Sequence, residues 1–233
     1  GEMLRHFTKW VCRAAVFASL ASHIPITAAA NNALYASAME SITADELYHY
    51  VEVLADDVYE GRASGSRGGH AAAQWLVKQL RPFQLKPAGT NGDYGQQFND
   101  DCRNILVMQP GDDPQIGEEV IVIGAHYDHV GYGDSSNSFG PFGKIHNGAD
   151  DNASGTSVLL ETIEAFARSG LKTRRTILFV FWDAEERGLV GSRYWLSDPT
   201  LLLEKVKLII TMDMVGRLRD DRFYLQGSRS GYG

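Results

Sequence analysis

Three apolar runs of strand length most constrain what this chain can fold into. They cover residues 120–125, 177–182 and 206–212, and none of them alternates between apolar and polar side chains. Continuous runs of this kind are typical of strands buried on both faces, which occur mainly in parallel sheets covered by helices. The stretch 153–169 has apolar residues at helical spacing and precedes Gly170, so it predicts a covering helix with a glycine cap. The chain therefore predicts a largely parallel sheet with helices on both faces.

Weaker patterns predict the remaining elements. We expect a helix that Thr43 caps and that runs to Asp57, a helix that ends at Leu80, a strand over 104–108, a helix over 188–197 and a strand over 222–226. Thr43 has the side chain that an N-terminal cap requires, and Pro82 cannot continue the second helix. The stretches 31–42, 61–69 and 86–97 lack such patterns and are predicted to be connecting segments.

Residues 1–30 have the pattern of an export signal. The basic residues Arg5, Lys9 and Arg13 precede an apolar run over 14–26, which is followed by the small residues 27–30. This order is typical of a secretory signal peptide, here cleaved after Ala30. The alternative is a membrane anchor, which the short run, interrupted by His23 and Pro25, disfavours. We therefore expect an exported protein, periplasmic or secreted, without stable membrane insertion.

Charge and cysteine content narrow the class of protein further. The formal net charge of −7 argues against a nucleic-acid partner. Of the two cysteines, Cys12 lies in the predicted signal, which leaves Cys102 without an intrachain partner. We expect Cys102 to be a buried thiol rather than a nucleophile. The sequence does not indicate an oligomeric state.

Histidine and carboxylate residues cluster where the predicted strands end. Residues 126–129, 183–186 and 213 follow the three apolar runs, and residues 150–151 directly precede the predicted helix. Open α/β sheets bind ligands at the carboxyl ends of their strands, so these side chains are expected to meet at one edge. Each group alone has an ordinary explanation, such as a helix cap or a solvated acidic pair. Together they indicate a bound cation, which would offset the repulsion among the acids.

Imidazole and carboxylate groups without thiolate indicate a catalytic zinc site, in which some coordination positions stay open. Two zinc ions roughly 3.5–4 Å apart could hold both a nucleophile and a substrate carbonyl. Hydrolysis also needs a base that the metal does not fully occupy. Glu185 and Glu186 are adjacent and can divide these roles, one as base and one as ligand.

The sequence resembles metallopeptidase family twenty-eight, the zinc exopeptidases that include the bacterial secreted leucine-type aminopeptidases and the glutaminyl cyclases. The resemblance covers about residues 43–233 and rests on four stretches: 124–129 (Gly-Ala-His-Tyr-Asp-His), 148–155 (Gly-Ala-Asp-Asp-Asn-Ala-Ser-Gly), 184–192 (Ala-Glu-Glu-Arg-Gly-Leu-Val-Gly-Ser) and 212–217 (Met-Asp-Met-Val-Gly-Arg). It implies a three-layer α/β/α zinc-exopeptidase fold of the phosphorylase/hydrolase-like type, with a mixed, mostly parallel central sheet.

The resemblance implies roles for six residues: His126 and Asp213 as ligands of one zinc, Glu186 as a ligand of the other, Asp151 as the bridge between them, Asp128 as the acid that orients His126, and Glu185 as the general base. Asp150 is the alternative to Asp151 as the bridge. Asp151 is preferred because the family's aspartate directly precedes a residue-small-Ser-Gly run, as Asp151 does here. The family often has a cis peptide bond after this aspartate, which here would join Asp151 to Asn152.

The chain departs from the family at one ligand. The family's second zinc takes a histidine well downstream of the position of Asp213, whereas all seven histidines here precede it. His129 or His146 would have to substitute for it. The resemblance therefore implies a catalytic domain over residues 31–233 that is incomplete at its C-terminus, and an inactive fragment is one alternative.

We predict a two-zinc aminopeptidase that releases N-terminal residues from peptide substrates. Met214 or Tyr127 would line an apolar specificity pocket. The alternatives are a carboxypeptidase or glutaminyl-cyclase-like enzyme on the same fold, and a non-catalytic domain. The runs 148–155 (Gly-Ala-Asp-Asp-Asn-Ala-Ser-Gly) and 184–186 (Ala-Glu-Glu) favour the peptidase. The sequence contains no Gly-x-Ser-x-Gly element and no phosphate loop that would support a serine hydrolase or a nucleotide enzyme.

Overall fold

The computed structural model describes residues 28–99 and 101–217, together with residues 222, 224, 226 and 227. Five α-helices form within these residues: α1 (Ala28–Glu40), α2 (Ala44–Leu54), α3 (Arg67–Leu80), α4 (Gly155–Ser169) and α5 (Val190–Ser197). Six strands accompany them: β1 (Lys86–Pro87), β2 (Gly95–Phe98), β3 (Cys102–Gln109), β4 (Val120–His126), β5 (Thr176–Trp182) and β6 (Val206–Thr211). The strands predicted over 104–108 and over the three apolar runs, and the predicted long helix, therefore form within a few residues of their expected bounds.

Local capping explains where two helices begin and end. The side chain of Thr43 accepts a hydrogen bond from the amide of Glu46, 3.2 Å away, as expected of an N-terminal cap. Gly170 ends α4 in the left-handed conformation, with φ of 67°. The prediction that α2 runs to Asp57 is wrong. The helix ends at Leu54, and Asp57–Arg62 form a tighter turn in which the backbone becomes left-handed at residues 60–62.

All three predicted connecting segments contain some regular structure, and in the segment 61–69 it is the start of α3 at Arg67. Residues 86–97 supply β1 and part of β2, and both strands pair with β3 in antiparallel fashion. These strands are short, and the pairing partner lies elsewhere in the sequence, so local composition did not reveal them. Residues 31–42 lie largely within α1, which spans the position of the predicted cleavage after Ala30. Residues 1–27 lie outside the described residues, as do residues 223 and 225 of the predicted strand 222–226, so both of those predictions stay untested.

The sheet has the order β1-β3-β5-β4-β6. The sixth strand, β2, is not in this order, and it pairs with β3. β4 runs parallel to both β5 and β6, whereas β3 is antiparallel to β5. The mixed sheet expected from the resemblance is confirmed. His126 pairs with Trp182, so β4 and β5 end at the same level of the sheet. The residues that follow these two strands therefore start from one edge.

Both faces of the central strands are covered, which confirms the three-layer arrangement. On one face, Phe179 and Phe181 of β5 pack in a core with residues of α2, α3 and α4. On the other face, Leu178 and Val180 of the same strand pack with Trp195 of α5. Each fully buried side chain of this size contributes about 1.5–3 kcal/mol to folding. The strand ends that carry the polar residues are therefore fixed on both sides.

β6 is the exception to this burial. Its six residues are all partly or fully exposed, and Leu208, Ile209 and Ile210 each expose 42–49% of their surface. The apolar run predicted a strand buried on both faces, and this prediction is wrong for β6 within the part of the chain that the structure describes. β4 pairs with one of its edges, and no described element covers its faces as α4 and α5 cover β5.

Two further expectations concern the membrane and the cysteine. Among the described residues, none of the helices combines the length and apolar character that crossing a membrane requires. Cys102 is free and 1% exposed, and its sulfur lies 3.1 Å from the hydroxyl of Ser64. The prediction of a buried thiol is confirmed.

Helix α4 buries two carboxylates away from the strand ends. Glu161 and Glu164 are 2% and 6% exposed, and the helix that carries them contacts both α1 and α2. Glu164 accepts a hydrogen bond from Tyr50, 3.4 Å away, and pairs with Arg168. One oxygen of Glu161 has no hydrogen-bond partner among the described residues. Burial raises the pKa of Glu161 to about 7, and the charges of Glu46 and Glu164 add to this effect.

This raised pKa predicts that stability declines as the pH rises. Because the folded state holds the Glu161 proton more tightly than the unfolded state, its contribution is complete below the ordinary glutamate pKa and is lost as the pH passes about 7. We expect Glu161→Gln to flatten the fall in thermal stability between about pH 5 and about pH 8. Thermal unfolding across this range measures it. Glu52→Gln, at an exposed position of α2, is the control. An unchanged slope in the Glu161 variant would contradict the prediction.

Candidate metal centre

His126 is the last residue of β4 and is buried, with 2% of its surface exposed. Its Nε2 lies 3.3 Å from Oδ1 of Asp151 and 3.4 Å from Oδ1 of Asp213. Zinc bonds of about 2.0–2.1 Å in a tetrahedron place neighbouring ligand atoms about 3.3–3.4 Å apart. The His126 nitrogen therefore stands from each of the two carboxylates at the spacing that one zinc ion requires, and the three ligand atoms lie within 4.8 Å of one another.

A single buried carboxylate aligns the residues around His126. Asp128 is fully buried, and its Oδ1 lies 3.6 Å from Nδ1 of His126, whose closer contact is the Asp128 carbonyl at 3.2 Å. The two carboxylate oxygens of Asp128 accept hydrogen bonds from the amides of Glu185, at 3.0 Å, and Glu186, at 3.3 Å. Asp128 therefore fixes both the imidazole and the turn that carries the two glutamates.

The surroundings of His126 strongly favour a positive charge. Burial alone would lower the pKa of His126, but contacts with the carboxylates of Asp128, Asp151 and Asp213 outweigh it and raise the pKa to about 12. A divalent cation satisfies the same carboxylates and competes with this proton for the imidazole. The donor set, one imidazole and hard carboxylate oxygens, fits zinc.

A second group of potential ligands shares Asp151 with the first. His129, Asp151 and Glu186 have ligand atoms that all lie within 4.8 Å of one another. Nδ1 of His129 is only 2.7 Å from Oε1 of Glu186, which is a hydrogen-bond distance rather than the separation of two zinc ligands. His129 thus holds Glu186 in place here. His146, the other histidine considered as a substitute ligand, instead contacts the carbonyl of Pro141 at 3.0 Å.

The loop that carries Asp151 has an unusual backbone. The peptide bond between Asp151 and Asn152 is cis, as predicted. Gly148 precedes the loop with φ of 58°, and an added Cβ would lie 2.6 Å from the ring of His129. Glycine is therefore required at position 148, both for its left-handed backbone and for the ring that packs against it.

Asp151, rather than Asp150, faces the two groups. Its hydrogen bond to His126 lowers the pKa of Asp151, although burial opposes this effect. Asp150 points elsewhere, and its Oδ1 accepts a hydrogen bond from the amide of Gly216 at 2.9 Å. The geometry thus favours Asp151 as the shared carboxylate.

Three polar residues, Asp150, Asn152 and Ser154, hold the Asp213 segment in place, a role that the sequence did not predict for them. Besides the Asp150 contact, the side-chain amide of Asn152 donates a hydrogen bond to the carbonyl of Met212 at 3.0 Å. Ser154 accepts a hydrogen bond from the amide of Val215 at 3.1 Å. Asp150, Asn152 and Ser154 occupy alternate positions of the loop, and they form hydrogen bonds with the backbone on both sides of Asp213. Their alternation in the sequence was the available signal, but it does not reveal which segment they bind.

Glu185 stands beside the first group without belonging to it. Its Oε2 lies 4.0 Å from Nε2 of His126. Burial raises the pKa of Glu185, the charge of His126 opposes this, and the charge of Glu186 adds to it. A carboxylate with a raised pKa beside a metal site is suited to accept and return a proton.

The expected specificity pocket is only partly consistent with the structure. Tyr127 is 1% exposed, and its hydroxyl donates to the carbonyl of Arg103 at 2.9 Å. Its suggested role as a pocket residue is therefore wrong, because the side chain lies in the core beneath the site. Met214 is 53% exposed and directly follows Asp213, so it can still contact a substrate.

Residues 104–232 match the family model described as Peptidase family M28. The chain belongs to peptidase family M28. The matched range includes all six residues for which the sequence predicted a catalytic or metal-binding role. The M28 model matches more than half of the chain, which makes the assignment independent of any single motif.

The chain is also similar to individual proteins, one by sequence and two by fold. Leucine aminopeptidase 1 of Trichophyton rubrum is 31% identical over 160 residues, which cover 65% of this chain and 40% of the relative. A Zn-dependent exopeptidase from Parabacteroides distasonis has a TM-score of 0.58 at 23% identity, covering 75% of this chain and 62% of that structure. A glutaminyl cyclase of Bacteroides thetaiotaomicron has a TM-score of 0.55 at 24% identity, with coverage of 75% and 62%. Both structures show a shared fold. This chain spans at most about half the length of the first curated relatives that it matches.

Proposed function

We propose that this chain is the metal-binding part of a zinc aminopeptidase that hydrolyses the N-terminal peptide bond of peptides. The observation that carries the proposal is the pair of ligand groups that share Asp151, with Glu185 beside them. The name of the fungal relative supports the aminopeptidase assignment over the other reactions of this fold.

Two zinc positions follow from the two groups. His126, Asp151 and Asp213 would hold one ion, and Asp151 with Glu186 would hold the other. His129 would complete the second set only by giving up its hydrogen bond to Glu186, and it otherwise orients that carboxylate. Zinc, when bound, polarises the substrate carbonyl and makes water a stronger nucleophile at neutral pH.

Glu185 would move the protons of the reaction. Its carboxylate would take a proton from the attacking water and then deliver it to the amine that leaves. The turn that carries Glu185 is fixed by Asp128, so the base keeps its distance from the His126 imidazole. Its partly buried position raises the pKa of Glu185, which favours its taking up the proton before the second transfer.

A carboxypeptidase or a glutaminyl-cyclase-like enzyme is the competing proposal. The same fold occurs in a glutaminyl cyclase, so the fold alone does not separate these activities. Two ligand groups sharing a carboxylate favour hydrolysis, since two ions can hold the nucleophile and the carbonyl together. We also propose export to the periplasm or outside the cell, which rests on the pattern of residues 1–30 alone.

Metal removal tests the proposed function. We expect the zinc-loaded chain to contain two zinc ions by elemental analysis and to hydrolyse a leucine chromogenic amide. A chelator should remove both the ions and the activity, and added zinc should restore them. One ion per chain with turnover would exclude the second position. Zinc binding without turnover on any N-terminal amide would overturn the aminopeptidase assignment.

A further inference from the structure

Arg62 is a fully buried arginine that the proposed reaction does not use. Its guanidinium donates four hydrogen bonds, all to backbone carbonyls. Nε binds the carbonyl of Tyr127 at 2.8 Å, and Nη2 binds that of Gly148 at 2.8 Å. Nη1 binds the carbonyls of Asn147, at 2.7 Å, and Leu54. One side chain therefore joins three separate segments of the chain.

Two of these segments carry the proposed ligands. Tyr127 lies between His126 and Asp128 at the end of β4, and Gly148 begins the loop that leads to Asp151. Leu54 ends α2 and supplies the third point of attachment. The planar guanidinium thus sets the distance between the strand end with the imidazole and the loop with the shared carboxylate.

The backbone of Arg62 is itself held against the same region. Its carbonyl accepts a hydrogen bond from the amide of His129 at 3.2 Å, and the carbonyl of Gly61 accepts one from the amide of Gly131 at 3.0 Å. An added Cβ at Gly61 would lie 2.4 Å from the carbonyl oxygen of His146. Residues 61 and 62 are therefore fixed beside the segment that follows β4, and the guanidinium has little freedom to shift.

The charge of Arg62 also acts on the metal centre. No carboxylate among the described residues forms a salt bridge with it, within 4.0 Å, although its side chain is buried. Burial lowers the pKa of Arg62 to about 10, and the charges of Asp128, Asp151 and Glu186 offset part of this shift. Arg62 therefore stays a cation at neutral pH. The negative charges that stabilise it belong to carboxylates of the proposed site, Asp128, Asp151 and Glu186.

We infer that Arg62 is a positioning residue of the metal centre, which fixes the His126 strand end relative to the Asp151 loop and balances the negative charge of the site. This inference rests on the proposed metal binding. Lysine keeps the charge but has a compact ammonium with three donors, which cannot reach four carbonyls in the planar fork of a guanidinium. Methionine removes both the charge and the donors while keeping a similar length.

The two contributions can be separated by metal titration. We expect Arg62→Lys to weaken zinc affinity by about 10–100-fold, the loss typical of residues that support metal ligands, and Arg62→Met to weaken it further. Isothermal titration with zinc alone measures this without any need for turnover. Visible absorption of the cobalt-loaded protein should also change in Arg62→Lys, because the spectrum reports ligand geometry rather than overall folding. Arg67→Lys, at a side chain that is 81% exposed and paired with Glu60, is the control and should match the parent chain.

The outcomes distinguish this inference from the proposed function. A parent chain that binds no zinc would overturn the proposed metal site itself. A parent chain that binds zinc, with an Arg62→Lys variant of unchanged affinity and cobalt spectrum, would overturn the role of Arg62. If circular dichroism shows that Arg62→Lys is unfolded, Arg62→Gly is titrated with zinc in the presence of guanidinium or of ammonium ions. Rescue by guanidinium alone would support the role, and equal results with both ions would refute it.

Discussion

Replacing Glu185 with glutamine should lower kcat on a leucine chromogenic amide by about 10²–10⁴-fold, the usual contribution of a general acid–base group. Glutamine keeps the shape of the side chain but cannot take a proton from water. Because Glu185 belongs to neither ligand group, the zinc content should remain that of the parent chain. Steady-state kinetics and elemental analysis of the same preparation measure the two effects.

The comparison for this variant is Glu204→Gln, which changes an exposed carboxylate next to β6. It should leave both kcat and zinc content unchanged. Loss of zinc from Glu185→Gln with activity restored by excess metal would reverse the assignment, making Glu185 the ligand. Glu186→Gln would then be expected to remove activity without removing metal.

The Asp151→Asn variant should lose more zinc than any variant of a supporting residue. Asp151 belongs to both ligand groups, so removing its charge weakens both positions at once. The affinity loss should exceed the roughly 100-fold upper range seen for residues that only support ligands. Zinc per chain after dialysis, and titration of the metal-free protein, measure this directly.

Asp150→Asn is a closely matched control, because it makes the same change one residue earlier. The Asp150 side chain accepts a hydrogen bond from Gly216, and an asparagine oxygen can accept the same bond. Its zinc content should therefore stay near that of the parent chain. A zinc-depleted Asp150→Asn beside a fully loaded Asp151→Asn would show that the bridging carboxylate was assigned to the wrong residue.

The central fold was predictable because its signals are local and strong. The apolar runs that became β4 and β5 and the periodic pattern of α4 each report burial directly. β1 and β2 were not predictable in this way, since their pairing with β3 depends on contacts distant in sequence. The exposure of β6 was not predictable for a similar reason. An apolar run indicates that a strand favours burial, but it does not show which other part of the chain covers it.

In the candidate site, too, some features could be predicted from the sequence and others depend on contacts distant in sequence. The side chains at strand ends could be grouped from the sequence, since parallel strands bring their carboxyl ends together. The contacts that set the orientation of these side chains could not be predicted from the sequence. The hydrogen bond from His129 to Glu186 and the guanidinium of Arg62 depend on how loops fold back over the sheet edge. Nothing in the Gly61-Arg62 pair itself indicates which four carbonyls the arginine binds.

Asp128 limits how this region can evolve. One carboxylate aligns a histidine on β4 and, through two backbone amides, the glutamates that follow β5. A substitution there disturbs ligand and base together, so its effects should not add to those of changes at position 126 or 185. Positions 126, 128 and 185 are therefore expected to change in concert or not at all across related sequences. Neighbours outside this network, such as the exposed Met214, are free to vary and to adapt the site to different substrates.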